Sequence, residues 1–165
     1  GQVSEVRSQT LVQTAVWYHV AGVRGSNYVQ LYVNGLLEGQ TNVSFAQSYG
    51  NYPLYFGTSQ QTYWDAKLKG RLDEVSLYNR ALSGAEIAAV YAAGALGKQK
   101  TNESKEAIKD LITDTKLGAE VRKAAMSALA VHWKDSDDLT WLSEKTGSDS
   151  GLKAHGSWLR TRCGK

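Results

Sequence analysis

Val29, Leu31 and Val33 alternate with Tyr28, Gln30 and Tyr32, and the run stops at Asn34-Gly35. Period two is the pattern of a β-strand, whose successive side chains point to opposite faces. Asn-Gly is the strongest short hairpin signal, because a type I′ turn needs positive φ at both central residues. A chain carrying this hairpin is committed to antiparallel pairing, and its surroundings repeat the pattern. Val12, Val16, Val20 and Tyr18 present one face of a strand while Gln13, Trp17 and His19 take the other. Gly25-Ser26-Asn27 supplies the turn between the two runs, and further strands are expected over residues 53–57 and 67–78. Strands at this spacing joined by tight turns predict an antiparallel sandwich or barrel. In the last run the parity slips: Leu68, Gly70 and Leu72 share a face, whereas Val75 and Leu77 sit at odd positions. One extra residue around Asp73-Glu74, a β-bulge, restores the alternation.

The chain then changes character. Ser83 can cap a helix, Glu86 stands at N3 for a capping box, and Leu82 with Ile87 forms a hydrophobic staple. Gly94 is a good C′ residue, so the helix is expected to end there, with a linker over residues 94–102. Residues 1–97 hold six Lys/Arg against six Asp/Glu and 13 of the 16 aromatics; residues 98–165 hold 13 Lys/Arg against ten Asp/Glu. The net charge of +3 therefore belongs wholly to the second part. Within it Ile108, Leu111, Val121, Arg122, Ala125 and Ala128 correspond, 31 residues on, to Leu139, Leu142, Leu152, Lys153, Gly156 and Leu159. That spacing predicts two helix–turn–helix units, over residues 104–133 and 137–162. Two domains follow, 1–97 and 98–165.

Five motifs stand in order in the first part: Trp17-Tyr18-His19-Val20-Ala21, Leu31-Tyr32-Val33-Asn34-Gly35, Pro53-Leu54-Tyr55-Phe56-Gly57, Gly70-Arg71-Leu72-Asp73-Glu74-Val75-Ser76-Leu77-Tyr78-Asn79-Arg80-Ala81-Leu82-Ser83, and Glu86-Ile87. The series resembles the laminin-G-like jelly roll of the concanavalin-A-like lectin/glucanase superfamily, in its C-terminal part. The resemblance implies an antiparallel β-sandwich whose N-terminal strands are expected to precede Gly1. The tail, with Glu120-Val121-Arg122-Lys123-Ala124-Ala125 opening a second helix, is similar to HEAT-type repeats, from which Gly156 inside a helix departs. The fold class expected is thus an incomplete β-sandwich followed by an all-α helical-repeat tail.

Several functions are disfavoured by chemistry. No apolar stretch approaches the roughly 20 residues of a membrane helix, and Cys163 has no second cysteine for an internal disulfide. Glycosidases need two carboxylates flanking the scissile bond, but Glu5, Glu38, Asp65, Asp73, Glu74 and Glu86 make no alternating acidic cluster. No enzyme activity is therefore expected. His19 reads as a strand histidine with a satisfied ring, and with His132 and His155 it makes no Ser/His/Asp set. The basic residues of the tail are interleaved with acids, which describes a solvated helix face and excludes a nucleic-acid surface.

Binding chemistry is better represented. Tyr49 and Tyr52 flank Gly50-Asn51, and Tyr63 and Trp64 follow Gln60-Gln61-Thr62. Aromatic faces beside amides suit sugar rings, so Tyr49, Tyr52, Tyr63 and Trp64 are the candidate ligand contacts, whereas Tyr28 and Tyr32 read as strand packing. The resemblance also implies that Asp73 helps hold a structural Ca²⁺; the alternative is that Asp73 pairs with Arg71 or Arg80, or caps local N–H groups. The expected function is a non-catalytic module binding carbohydrate or an extracellular protein, with the tail contacting a protein partner. By resemblance it belongs to a secreted or envelope protein. The alternatives are an accessory domain of a glycoside hydrolase or other multidomain enzyme, and an adhesion or assembly scaffold.

Overall fold

The computed structural model describes residues 4–46, 50–51, 53–58 and 67–163. Among the described residues three antiparallel strands, β1 (Val20–Arg24), β2 (Tyr28–Val33) and β3 (Leu36–Asn42), form one open sheet in the order β1-β2-β3. Five helices follow: α1 (Gly84–Gln99), α2 (Asn102–Thr113), α3 (Ala119–His132), α4 (Ser136–Thr146) and α5 (Ser150–Cys163). The fold is an incomplete β-sandwich followed by an all-α tail.

The β2–β3 hairpin turns on Asn34 and Gly35, with φ of 50° and 81°. A Cβ on Gly35 would lie 3.2 Å from Ala88 Cα, so this tip rests on α1. Val20 pairs with Val33 and Ala21 with Tyr32, which puts Ala21, Val23, Tyr28 and Tyr32 on one face. That face packs on Leu82 and Ile87 at the start of α1. Tyr28 and Tyr32 therefore bury against a helix, and the Tyr32 hydroxyl donates to Gln30 Oε1 at 3.1 Å.

Three strand expectations change. Residues 12–19 are irregular, because Ala15 adopts φ 62°, and the strand starts only at Val20. Residues 53–57 and 67–78 carry no strand, although Leu68 N–H donates to Gly57 O at 2.8 Å. A period-2 pattern becomes a strand only beside a partner, and Leu68, Leu72, Val75 and Leu77 stay exposed. The parity slip is real as a kink, since Glu74 has φ 51°, but with no paired strand it is not a bulge. The bulge lies in β3: Leu31 pairs with Gly39 and Tyr32 with Leu37, leaving Glu38 over. Released from the ladder, Glu38 Oε2 accepts the N–H groups of Gln9 at 3.1 Å and Thr10 at 3.0 Å. The N-terminal segment thereby lies against Gly39, where a Cβ would be 2.6 Å from Arg7 O.

α1 starts as its sequence dictates. Ser83 and Glu86 form the capping box, and Leu82 and Ile87 are both buried in one cluster. It does not stop at Gly94; it runs to Gln99 and closes on Lys100 in the left-handed conformation, leaving Lys100 and Thr101 between α1 and α2. The extra turn is held by packing, for Ala93 is fully buried in the helical core and Leu96 packs beside it. One continuous helix thus packs on the sheet at Ile87 and on the helical core at Ala93, and position 97 falls inside it.

In the tail, α2 with α3 and α4 with α5 form the two expected helical pairs, and α3 also packs on α1 and α5. Ile108, Val121 and Ala125 are buried, as are their partners 31 residues on, Leu139, Leu152 and Gly156. Arg122 is the strap: Nε donates to Ile112 O at 2.7 Å, and Nη1 to Asp149 Oδ2 at 2.7 Å. Asp149 Oδ1 meanwhile accepts Gly151 N–H at the start of α5, and the Arg122 guanidinium holds its carboxyl below the usual range.

Gly156 is explained by proximity. A Cβ there would meet Thr146 Oγ1 at 2.9 Å and Met126 Cε at 3.3 Å, so the glycine lets α5 approach α3 and α4. Gly156→Ala gains about 1 kcal/mol of helix propensity but forces overpacking worth about 1–3 kcal/mol. The expected net result is a loss of about 1 kcal/mol, read as a lower urea midpoint with unchanged slope; a gain in midpoint would contradict the close approach.

Candidate functional site

Tyr49, Tyr52, Tyr63 and Trp64 lie outside the described residues. Of the other aromatics, Trp17 is 56% exposed. The Lys98 ammonium of α1 sits 5.7 Å from its ring centre, a cation–π contact between the segment before β1 and the end of α1.

Asp73 is exposed, and its Oδ1 accepts the N–H of Glu74 at 2.9 Å. It thus serves local backbone, while Arg80 pairs with Glu86. Ca²⁺ takes six to eight oxygens. Among the described residues no group of three or more His, Cys, Asp or Glu is placed to hold a metal.

The carboxylates of the first part are engaged separately. Glu38 holds Thr10, and that contact keeps its carboxyl low. Glu5 pairs with Arg7 on the surface. Glu86 takes both Arg80 nitrogens, at 3.0 and 2.6 Å, and the Ser83 N–H at 2.8 Å. The guanidinium, then the Ser83 N–H, bring its pKa down to about 2. Stability from this cap is therefore complete above the usual glutamate range and is lost as pH falls toward 2. Asp65 lies outside the described residues.

The histidines behave differently from one another. His155 Nε2 is 2.9 Å from Ser127 Oγ, and the Lys123 backbone also hydrogen-bonds its ring. The ring stacks on Trp158 with centroids 5.7 Å apart. Hydroxyl, imidazole and backbone form a satisfied contact between α3 and α5, with no carboxylate behind the ring to make a triad. His19 Nδ1 and His132 Nε2, in contrast, are buried without a hydrogen-bond partner. The expected satisfied ring of His19 is thus not found. Its backbone is satisfied instead: its N–H donates to Asn34 Oδ1 at 3.0 Å.

A shallow cleft of about 250 Å³, between the start of α4 and the end of α5, is lined by Ser136, Leu139, Thr140 and Arg160. It gathers none of the candidate residues. Sequence reasoning missed a cluster on α2 and α4, where buried Asp138 pairs with Lys105 and with Lys109 at 3.4 Å. The two ammoniums lie 5.8 Å from the Trp133 ring and 5.3 Å from the Trp141 ring. No local spacing announces it, because the partners come from different helical pairs. The cluster is a clip between α2 and α4, closed by its own charges.

Comparison with known proteins places the first part. A laminin-G family model, of the concanavalin A-like lectin/glucanases superfamily, matches residues 1–88. A solved structure is also similar: residues 221–444 of an S-layer domain-containing protein from Clostridium thermocellum ATCC 27405 are 30% identical, with a TM-score of 0.46. The match covers 51% of this chain and 43% of that one, so the chain spans less than half of that structure. No curated protein matches the chain. The family match takes in the hairpin, the Asp73-Glu74 kink and the capped start of α1, and on it the chain belongs to the concanavalin A-like lectin/glucanases superfamily.

Proposed function

We propose that the chain is a non-catalytic binding module that takes carbohydrate through its aromatic loops, within a secreted or envelope protein. The observation that carries this is membership of a superfamily of lectins and glucanases, together with the state of its carboxylates. A glucanase needs two carboxyls facing one bond, whereas Glu5, Glu38 and Glu86 are each tied to a different partner and Asp73 serves backbone. Between the two activities in the superfamily's name, these contacts favour binding. Tyr49, Tyr52, Tyr63 and Trp64 carry the stacking faces. The tail is HEAT-like in its paired helices and offers a protein partner its solvated outer faces. Packing of that tail on α1 favours a second reading, in which the chain is an assembly scaffold.

Glycan-array screening separates them, run with Ca²⁺ and again with a chelator. Binding to a polysaccharide is expected, weakened about tenfold or more by Trp64→Ala, since one aromatic contact contributes about 0.5–1.5 kcal/mol beyond its buried area. Absence of binding to every glycan, with capture of a protein partner through residues 98–165, would replace carbohydrate by the scaffold. Release of reducing sugar by the chain would overturn the non-catalytic assignment.

A further inference from the structure

Glu74 is one of the places where the first part touches the helical tail. Held at φ 51°, it places its carboxylate beside Gly94 of α1, whose Cβ, if present, would lie 3.9 Å from Glu74 Oε2. Glu74 Oε1 also lies 3.9 Å from Nε2 of His132, the last residue of α3. The His132 ring is wedged against α1, for a Cβ on Gly97 would fall within van der Waals overlap of it, 3.1 Å from Nε2. From the sheet side comes His19, whose ring lies 5.7 Å from that of Tyr91 on α1. Both imidazoles have a buried nitrogen with no hydrogen-bond partner.

Around His132 the charged groups are Glu74 and Asp73 from the segment before α1, with Lys98 and Lys100 from the end of α1; around His19 they are Glu74 and Lys98. Two carboxylates already face two ammoniums, so the seam is balanced while both imidazoles are neutral. Two added protons would leave it with an excess of two positive charges in a place where burial penalises charge. One carboxylate, Glu74, cannot compensate both.

We infer that this seam is a proton-sensitive latch: it joins the lectin-like part to the helical tail at neutral pH and loosens when His19 and His132 are protonated. Burial lowers the affinity of both rings for a proton, more than Glu74 raises it. A histidine with a lowered folded-state pKa leaves stability intact above its ordinary value near 6.5 and removes it as pH falls below. The latch is independent of the ligand assigned above.

Hydrogen exchange of the full chain, with intrinsic exchange rates divided out, reads the seam locally. Between pH 7.5 and 5.5, protection over the last two turns of α1 and the last turn of α3 is expected to fall. Each imidazole confined to its neutral form contributes up to about tenfold. Peptides from α4 and α5 report opening elsewhere, including any caused by His155. In His19→Asn/His132→Gln, which keeps neutral polar side chains, the seam should hold the same protection at both pH values. Glu74→Gln leaves the imidazoles in place and should deepen the acid loss, with the ring proton resonances of His132 titrating at lower pH than in the parent. Protection unchanged by acid in the parent would overturn the latch. So would an equal fall in the double variant, or a His132 pKa at or above 6.5.

Discussion

Asp138→Ala is expected to lower the stability of the helical tail by about 3 kcal/mol, the low end of what removing one partner of a buried ion pair costs. The carboxylate is 6% exposed and faces Lys105 and Lys109, themselves only 18% and 20% exposed. Without it the two ammoniums, one turn apart on α2, face each other uncompensated where α2 meets α4. Glu106, largely exposed and 3.2 Å from Lys109, reaches only one of them. The ammoniums retain the faces of Trp133 and Trp141 and a little solvent, which keeps the loss from being larger. Asp138 also sits in the first turn of α4, where a negative charge meets the positive end of the helix dipole. Chemical denaturation followed by far-ultraviolet circular dichroism measures the loss. Arg7→Ala, which removes the exposed Glu5 pair, should leave the midpoint unmoved, because exposed pairs contribute little. Equal effects of the two substitutions would show that burial does not set the strength of the Asp138 clip.

The Asn34-Gly35 turn, the Ser83–Glu86 box and the Leu82–Ile87 staple were legible in the sequence because each is settled by residues within a few positions of one another. The helical character of the tail was legible too, since its apolar positions recur at helical spacing and Ile108, Val121, Leu139 and Leu152 are buried. Long-range contacts were not. Leu68, Leu72, Val75 and Leu77 carry a strand pattern but no strand, since alternation states a preference and a partner strand realises it. Glu38 does not look like a bulge in sequence; the segment it holds, Gln9-Thr10, lies 28 residues or more away. Gly94 read as a helix stop because its local signal is right, and tertiary packing at Ala93 and Leu96 overrode it. In the candidate site, the local role of Asp73 toward Glu74 N–H was among the readings open from sequence. The convergence of His19, His132 and Glu74 on α1 was not, for three distant segments meet there.

The second large effect concerns α1 itself. Ile87, 1% exposed, anchors the sheet side, and Ala93, fully buried, belongs to the core of the tail. Cutting between residues 97 and 98 severs the helix two residues before its end and strips the tail of the face that packs on α2 and α3. Two helical pairs alone fall short of the roughly three repeats that stacked units need to bury a core. With α1 restored, the pairs gain a fifth helix packed on α2 and α3, and Ala93 of α1 joins the buried core that holds Ala125 and Leu129. Residues 98–165 are therefore expected to keep helical content without a sharp transition and to expose apolar surface.

Thermal unfolding of residues 81–165 beside residues 98–165 tests the shared helix most directly. The longer piece should melt in one cooperative transition and the shorter one in a broad, shallow slope. A 98–165 piece that melts as sharply, and at the same temperature, would show that α1 belongs to the sheet alone.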